Sequence, residues 1–144
     1  MKKRIISFFV LVMMLTGSVA PAAALNQADE IKTVPIRFRP GASSATVSGS
    51  VKGYATVDYV LKANGGQTMS VALKSRSTSL YFNILPGENK GTGEALNAEP
   101  RPVEVTKWSG ELPGDGEYII RVYLVRAVAR RGATAAYSLT VSIK

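Results

Sequence analysis

The sequence predicts an all-β protein, a single antiparallel β-sandwich of about eight strands. Three observations carry that expectation. Short runs with an apolar residue at every second position recur along the chain, the period of a strand with one buried face. Turn signals built on Gly, Pro and Asn separate these runs at intervals of about 8–12 residues. Beyond an N-terminal apolar run, no stretch repeats at helical spacing, and there is no internal repeat or low-complexity tail.

The first 24 residues stand apart from this pattern. A basic Met1-Lys2-Lys3-Arg4 precedes an apolar run over 5–15, followed by Gly17, Ser18 and a small-residue stretch ending Ala22-Ala23-Ala24. That is the order of a secretory signal peptide, with Ala22 and Ala24 placed for cleavage after residue 24. The apolar run is shorter than the ~20 residues of a membrane span, and no Cys follows it to take a lipid. The expected product is one exported domain, 25–144, with no membrane attachment.

Within that domain, 25–32 is polar and reads as a frayed start. Residues 33–38 form the first expected strand, placed at a sheet edge by Pro35, and Arg39-Pro40-Gly41-Ala42 turns the chain. Residues 45–52 alternate small side chains with Val47 and Val51. Gly53 interrupts, and 54–63 resumes with Val57, Tyr59 and Leu61 inward and Tyr54, Thr56 and Asp58 on the polar side. Asn64-Gly65-Gly66 reads as a hairpin turn into 67–74, where Met69, Val71 and Leu73 face in. Leu80, Phe82 and Ile84 mark a strand over 78–85. A surface loop, 86–101, leads to a weaker strand over 102–108, with Val103, Val105 and Lys107 on one side and Trp108 on the other. Leu112-Pro113-Gly114-Asp115-Gly116 is a strong turn signal. Two clear strands close the chain, one with Tyr118, Ile120, Val122 and Leu124 on one face, the other with Tyr137, Leu139, Val141 and Ile143.

The chain contains no His and no Cys. A Ser-His-Asp triad, a His- or thiolate-ligated metal site and a disulfide scaffold are therefore excluded. Acidic residues are scattered through turns and suggest no glycosidase-like carboxylate pair. Gly91-Thr92-Gly93 is too short for a phosphate loop. The chain reads as a non-enzyme that needs no cofactor. Its charge points instead to a partner. Of 18 basic residues three lie in the leader, so 25–144 keeps 15 against 10 acids, a net charge of +5. That balance fits an anionic partner: a nucleic acid (the least suited to an exported protein), a membrane surface, or the acidic cleft of another protein.

The strongest positive feature lies between the last two strands. Arg126, Arg130 and Arg131 sit there with no acid among them, and Arg131-Gly132 would suffice to turn a hairpin. The extra length and the three guanidinium groups read as a presented cationic tip, not a requirement of the fold. Ala127, Val128 and Ala129 make its centre apolar, as suits a binding edge, and Arg suits paired hydrogen bonds to a carboxylate. The plainer reading is a solvated loop. A second candidate is Lys52-Gly53-Tyr54, where Gly53 lets the backbone turn and Tyr54 offers large contact area at small entropic cost. Its plainer reading is a Tyr covering the sandwich edge.

These segments resemble those of a known family. Ser48-Gly49-Ser50-Val51-Lys52-Gly53-Tyr54, with Asp58-Tyr59 and Gly66-Gln67, is similar to the first half of the periplasmic inhibitors of goose-type (g-type) lysozyme. Gly116-Glu117-Tyr118 to Arg121-Val122, with Arg126, Ala129-Arg130-Arg131 and the Tyr137 strand, is similar to their second half. The resemblance spans about 34–144 except the central loop. Gly-x-Tyr-x-x-Arg-Val also occurs in pre-peptidase C-terminal β-sandwich domains, which these inhibitors resemble in fold. The resemblance implies a periplasmic sandwich that places loops in the lysozyme cleft and blocks peptidoglycan hydrolysis. It assigns partner contacts to Tyr54, Arg126 and Arg130, with Lys52, Asp58 and Arg131 beside them. The chain departs from the family pattern at Ala127-Val128, where polar residues are expected, and at Ala55-Thr56-Val57, where acidic and aromatic ones are. A reading from another class is a secreted module that binds polysaccharide or a cell-surface component through Trp108, Tyr54 and Tyr123.

Overall fold

The computed structural model describes residues 30–89, 91–98 and 106–144. The expected leader, 1–24, and the first part of the strand expected at 102–108 lie outside them. The alternating runs form eight strands: β1 (Ile31–Pro35), β2 (Ser44–Lys52), β3 (Thr56–Ala63), β4 (Thr68–Ser75), β5 (Leu80–Pro86), β6 (Lys107–Glu111), β7 (Gly116–Leu124) and β8 (Thr134–Ile143). They make two four-stranded sheets, ordered β1-β3-β7-β5 and β2-β8-β4-β6. The faces expected to point inward do so. Phe82, Met69, Ile84, Ile120, Leu139 and Val141 are fully enclosed between the sheets.

One polar pair lies inside this core. The hydroxyls of Tyr59 and Tyr137 are 2.8 Å apart, their rings edge to face at 6.3 Å. Gly49 stands opposite Tyr137 in the β2–β8 register, and a Cβ there would lie 2.7 Å from the Tyr137 hydroxyl. Burial raises the Tyr137 phenol far above its ordinary range, and the bond to Tyr59 adds to the rise.

Two turn expectations fail for one reason. Among the described residues, each successive strand lies in the other sheet from the one before it, so none pairs with its predecessor as a hairpin. Asn64-Gly65-Gly66 carries the chain from β3 across to β4, and Gly65 lies backbone to backbone with Gly114 of the neighbouring corner, its N–H donating to Asp115 Oδ1 at 2.8 Å. The segment between β7 and β8 is likewise a crossover, and sheets lie about 10 Å apart. Its length is thus partly demanded by the fold, against the expectation of a superfluous tip.

Three strands also shift. The first begins at Ile31, earlier than expected, because Thr56 N–H bonds Glu30 O at 2.9 Å and extends the pairing. It runs parallel to β3, so the otherwise antiparallel sandwich contains a parallel pair. β3 begins only at Thr56, which moves Tyr54 off the strand and into the turn before it. β6 is centred beyond 102–108, with Trp108 and Gly110 turned toward the core; the indole occupies the space a Gly110 side chain would need. The central loop is pinned where it passes β5, as Asn97 donates to Phe82 O and accepts from Ile84 N–H, both at 2.9 Å. Such a contact covers a sheet edge that would otherwise be open to pairing.

Candidate functional site

β7 ends at Leu124, and the chain makes one helical turn before entering β8: α1, Arg126–Ala129. Ala and Arg favour such a turn. Val128 and Ala129 N–H groups bond Val125 O at 3.0 and 2.9 Å, Arg130 N–H bonds Arg126 O at 3.0 Å, and Gly132 N–H bonds Ala129 O at 2.8 Å. Gly132, at φ 69°, stops it in the left-handed conformation that Gly adopts readily. The spacing of four between Arg126 and Arg130 now has a cause. Residues i and i+4 share one helix face, and both side chains are exposed there. The opposite face is buried: Ala129 belongs to the core and Val128 packs against it. The apolar centre of the segment, Val128 and Ala129, is the crossover's own anchor and not an exposed binding edge. Ala127 is exposed.

The second candidate meets the first. Gly53 is buried at φ 58°, and its N–H bonds Ala133 O, just past the helical turn, at 2.8 Å. A side chain at Gly53 would touch Ala129 O at 3.6 Å. The backbone between β2 and β3 is therefore moored to the backbone between β7 and β8. Tyr54 follows, half-buried, with its ring against the core. Lys52 lies opposite Thr134 in the β2–β8 register, which sets its exposed side chain at the same end of the sandwich. Arg131 is exposed immediately before Gly132.

Tyr54 and Arg126 line one open cleft of about 220 Å³, with Ile31, Gly53, Ala55, Thr56, Arg121, Tyr123 and Leu124 completing its wall. Arg130 and Arg131 stand outside that lining, on the connection that forms its rim. Asp58 is not presented to a partner. It is buried, and its carboxylate accepts Nε and Nη2 of Arg121, both at 2.7 Å. Arg121 is the cation that the fold neutralises, and its hydrogen bond to Asp58 raises its pKa further. By contrast Arg126, Arg130, Arg131 and Lys52 have no acidic partner among the described residues. Sequence reasoning missed Ile31 and Arg121 as cleft residues. Only the β1–β3 and β3–β7 registers, Ile31 to Thr56 and Asp58 to Arg121, bring them there.

The aromatics of the polysaccharide reading are not gathered on one surface. Trp108 belongs to the sheet of β2, β8, β4 and β6 and leans inward, whereas Tyr54 and Tyr123 border the cleft at the end of the other sheet. Among the described residues, no group of His, Cys, Asp and Glu could hold a metal.

Known proteins resemble the chain in sequence and in fold. No family model matches the chain. The inhibitor of g-type lysozyme from Escherichia coli (strain K12) is 30% identical over 152 residues, an alignment covering 100% of both chains. The crystal structure of a periplasmic inhibitor of g-type lysozyme from Aeromonas hydrophila superposes with a TM-score of 0.73 at 45% identity, covering 81% of this chain and 100% of that one. The pre-peptidase C-terminal domain of a collagenase from Bacillus anthracis superposes at 0.51 with 11% identity, covering 83% and 99%, a likeness of fold alone.

Proposed function

The chain belongs to the family of inhibitors of g-type lysozyme, and from that premise we propose that it blocks such a lysozyme by seating Tyr54 and the α1 arginines in the enzyme's substrate groove. The observation that carries the reading is the mooring of Gly53 N–H on Ala133 O, which holds the Tyr54 turn and the arginine turn as one unit. A lysozyme groove must keep carboxyl groups near the scissile bond and open space for a glycan strand. Arg126 and Arg130, projecting from one face of a helical turn with no acid to hold them among the described residues, supply guanidinium groups for those carboxylates. Tyr54 supplies area that displaces the glycan. Lys52 and Arg131 extend the positive field around this contact. Asp58 acts at one remove, by fixing Arg121 in the cleft wall.

The same reading includes export. Removal of a leader at 1–24 would release the sandwich, 25–144, into the periplasm, the compartment named for its structural relatives. The test is a cell-wall lysis assay with residues 25–144 and goose-type, chicken-type and invertebrate-type lysozymes side by side. Selective loss of goose-type activity at stoichiometric protein is expected. Lysis that proceeds undiminished with every enzyme would defeat the proposal.

A further inference from the structure

Ile31 is 51% exposed, the one large hydrophobic side chain so placed among the described residues. Its position is not arbitrary. The parallel register of β1 on β3 puts Ile31 beside Thr56, and it lines the same cleft as Tyr54 and Arg126. A stray exposed Ile needs no explanation by itself. One located in the wall of the cleft that bears the unpaired arginines does, because interface energy concentrates at an apolar centre ringed by charge.

We propose that Ile31 is the apolar anchor of the inhibitory surface, and that the cleft between Ile31, Tyr54 and Tyr123 receives an apolar side chain of the lysozyme next to the carboxylate met by Arg126. This inference rests on the inhibitor reading above. Three features favour a protein side chain over a sugar as the occupant. Apart from Arg126 and Tyr54, the cleft wall offers few free polar groups: Arg121 bonds Asp58 through two nitrogens and approaches Gly91 O through the third at 3.4 Å. The Tyr123 hydroxyl is directed to Asn83 Oδ1 at 3.4 Å. Thr56 Oγ1 has no hydrogen-bond partner, but it is enclosed and so lies out of a sugar's reach. A sugar needs accessible donors and acceptors, and these groups supply few. An apolar side chain needs only Ile31, Leu124 and the ring faces.

The experiment measures dissociation rates from a g-type lysozyme, at low and high salt, for the wild type and three variants of residues 25–144. The variants are Ile31→Asp, Thr68→Asp and the double change Arg126→Ala with Arg130→Ala. Thr68 is exposed at the far end of the sandwich, so its variant carries the same added charge away from the cleft. Ile31→Asp is expected to raise the dissociation rate about tenfold or more at both salts with an unchanged melting temperature, while Thr68→Asp leaves the rate as it was. An unchanged rate for Ile31→Asp, or an equal rise for Thr68→Asp, overturns the anchor. If the double arginine variant loses inhibition while Ile31→Asp does not, only the anchor fails. If neither variant matters, the inhibitory site itself is misplaced. Retention on peptidoglycan that Ile31→Asp abolishes, without any effect on the lysozyme complex, would make the cleft a glycan site and also overturn the proposal.

Discussion

At the scale of the residue, the contrast between Arg121 and its neighbours separates structure from function. Arg121 is paired, a quarter exposed and part of the sheet; replacing Asp58 by Ala would leave it uncompensated and is expected to cost about 3 kcal/mol of stability, seen as a lower melting temperature. Arg126 and Arg130 are exposed and pair with nothing described, so their replacement should leave stability alone. Once desolvated against a carboxylate, each is worth about 2–5 kcal/mol, or tens- to thousands-fold in affinity. Arg126→Ala and Arg130→Ala are therefore expected to lose inhibition by that factor in the lysis assay while melting like the wild type. A folded double variant that inhibits normally would remove both from the site. Tyr137 makes a separate prediction. Its phenol stays neutral in the fold and is raised far above its ordinary value, chiefly by burial. The unfolded chain would release that proton near pH ~10. The stabilisation is thus complete below that value and shrinks as pH rises past it. Tyr137→Phe should make the alkaline fall shallower in melts recorded across that range, at a cost of about 1 kcal/mol near neutrality for the lost Tyr59 hydrogen bond.

At the scale of the element, the site is a property of two crossovers rather than of either alone. Gly53 has the positive φ that L side chains adopt with strain, yet a Cβ at that position meets only Ala129 O, at an ordinary 3.6 Å. The penalty of Gly53→Ala is therefore conformational, about 1–2 kcal/mol, and Asn, which tolerates this region better, should recover part of it. Because the same residue moors Tyr54 to the arginine turn, Gly53→Ala should weaken inhibition as well as stability, with Gly53→Asn intermediate in both. Inhibition that stays at the wild-type level while Gly53→Ala melts early would show the two turns to work independently. The helical turn teaches a related lesson. A segment of Arg, Ala and Val between strands reads as a decorated loop, but its small apolar residues are spent on the core and only its arginines face out.

At the scale of the whole molecule, charge is distributed along the sandwich axis. Lys52, Arg76, Arg126, Arg130 and Arg131 lie at the end where β2, β4 and β7 finish and β8 begins, with the acid Glu30 among them, while at the other end Glu111, Asp115 and Glu117 are mixed with Lys62 and Lys144. Such a field steers encounter more than it sets final affinity. The association rate with the lysozyme is expected to fall by about tenfold between roughly 0.05 and 0.5 M salt. Stopped-flow measurement that finds it flat would exclude steering. The topology has a kinetic consequence too. With no hairpin among the described residues, every pairing of these strands joins segments distant in the chain, and such folds form in milliseconds to seconds rather than microseconds.

The sequence by itself determined the all-β class, most strands to within a few residues and their buried faces, the absence of any His- or Cys-based chemistry and the residues that mark the family. Each of these is local: a pleat with period two, a residue type present or missing, a motif read along the chain. It left open which strands pair. An alternating run shows a buried face and is silent about the neighbour on its edge, so Asn64-Gly65-Gly66 and Arg131-Gly132 looked like hairpins and are corners between sheets. Only the tertiary structure decided that Asp58 serves Arg121, that Ala129 and Val128 belong to the core, and that Ile31 stands beside Tyr54 and Arg126. Those outcomes depend on register and on the stacking of two sheets, which bring together side chains the linear pattern keeps apart.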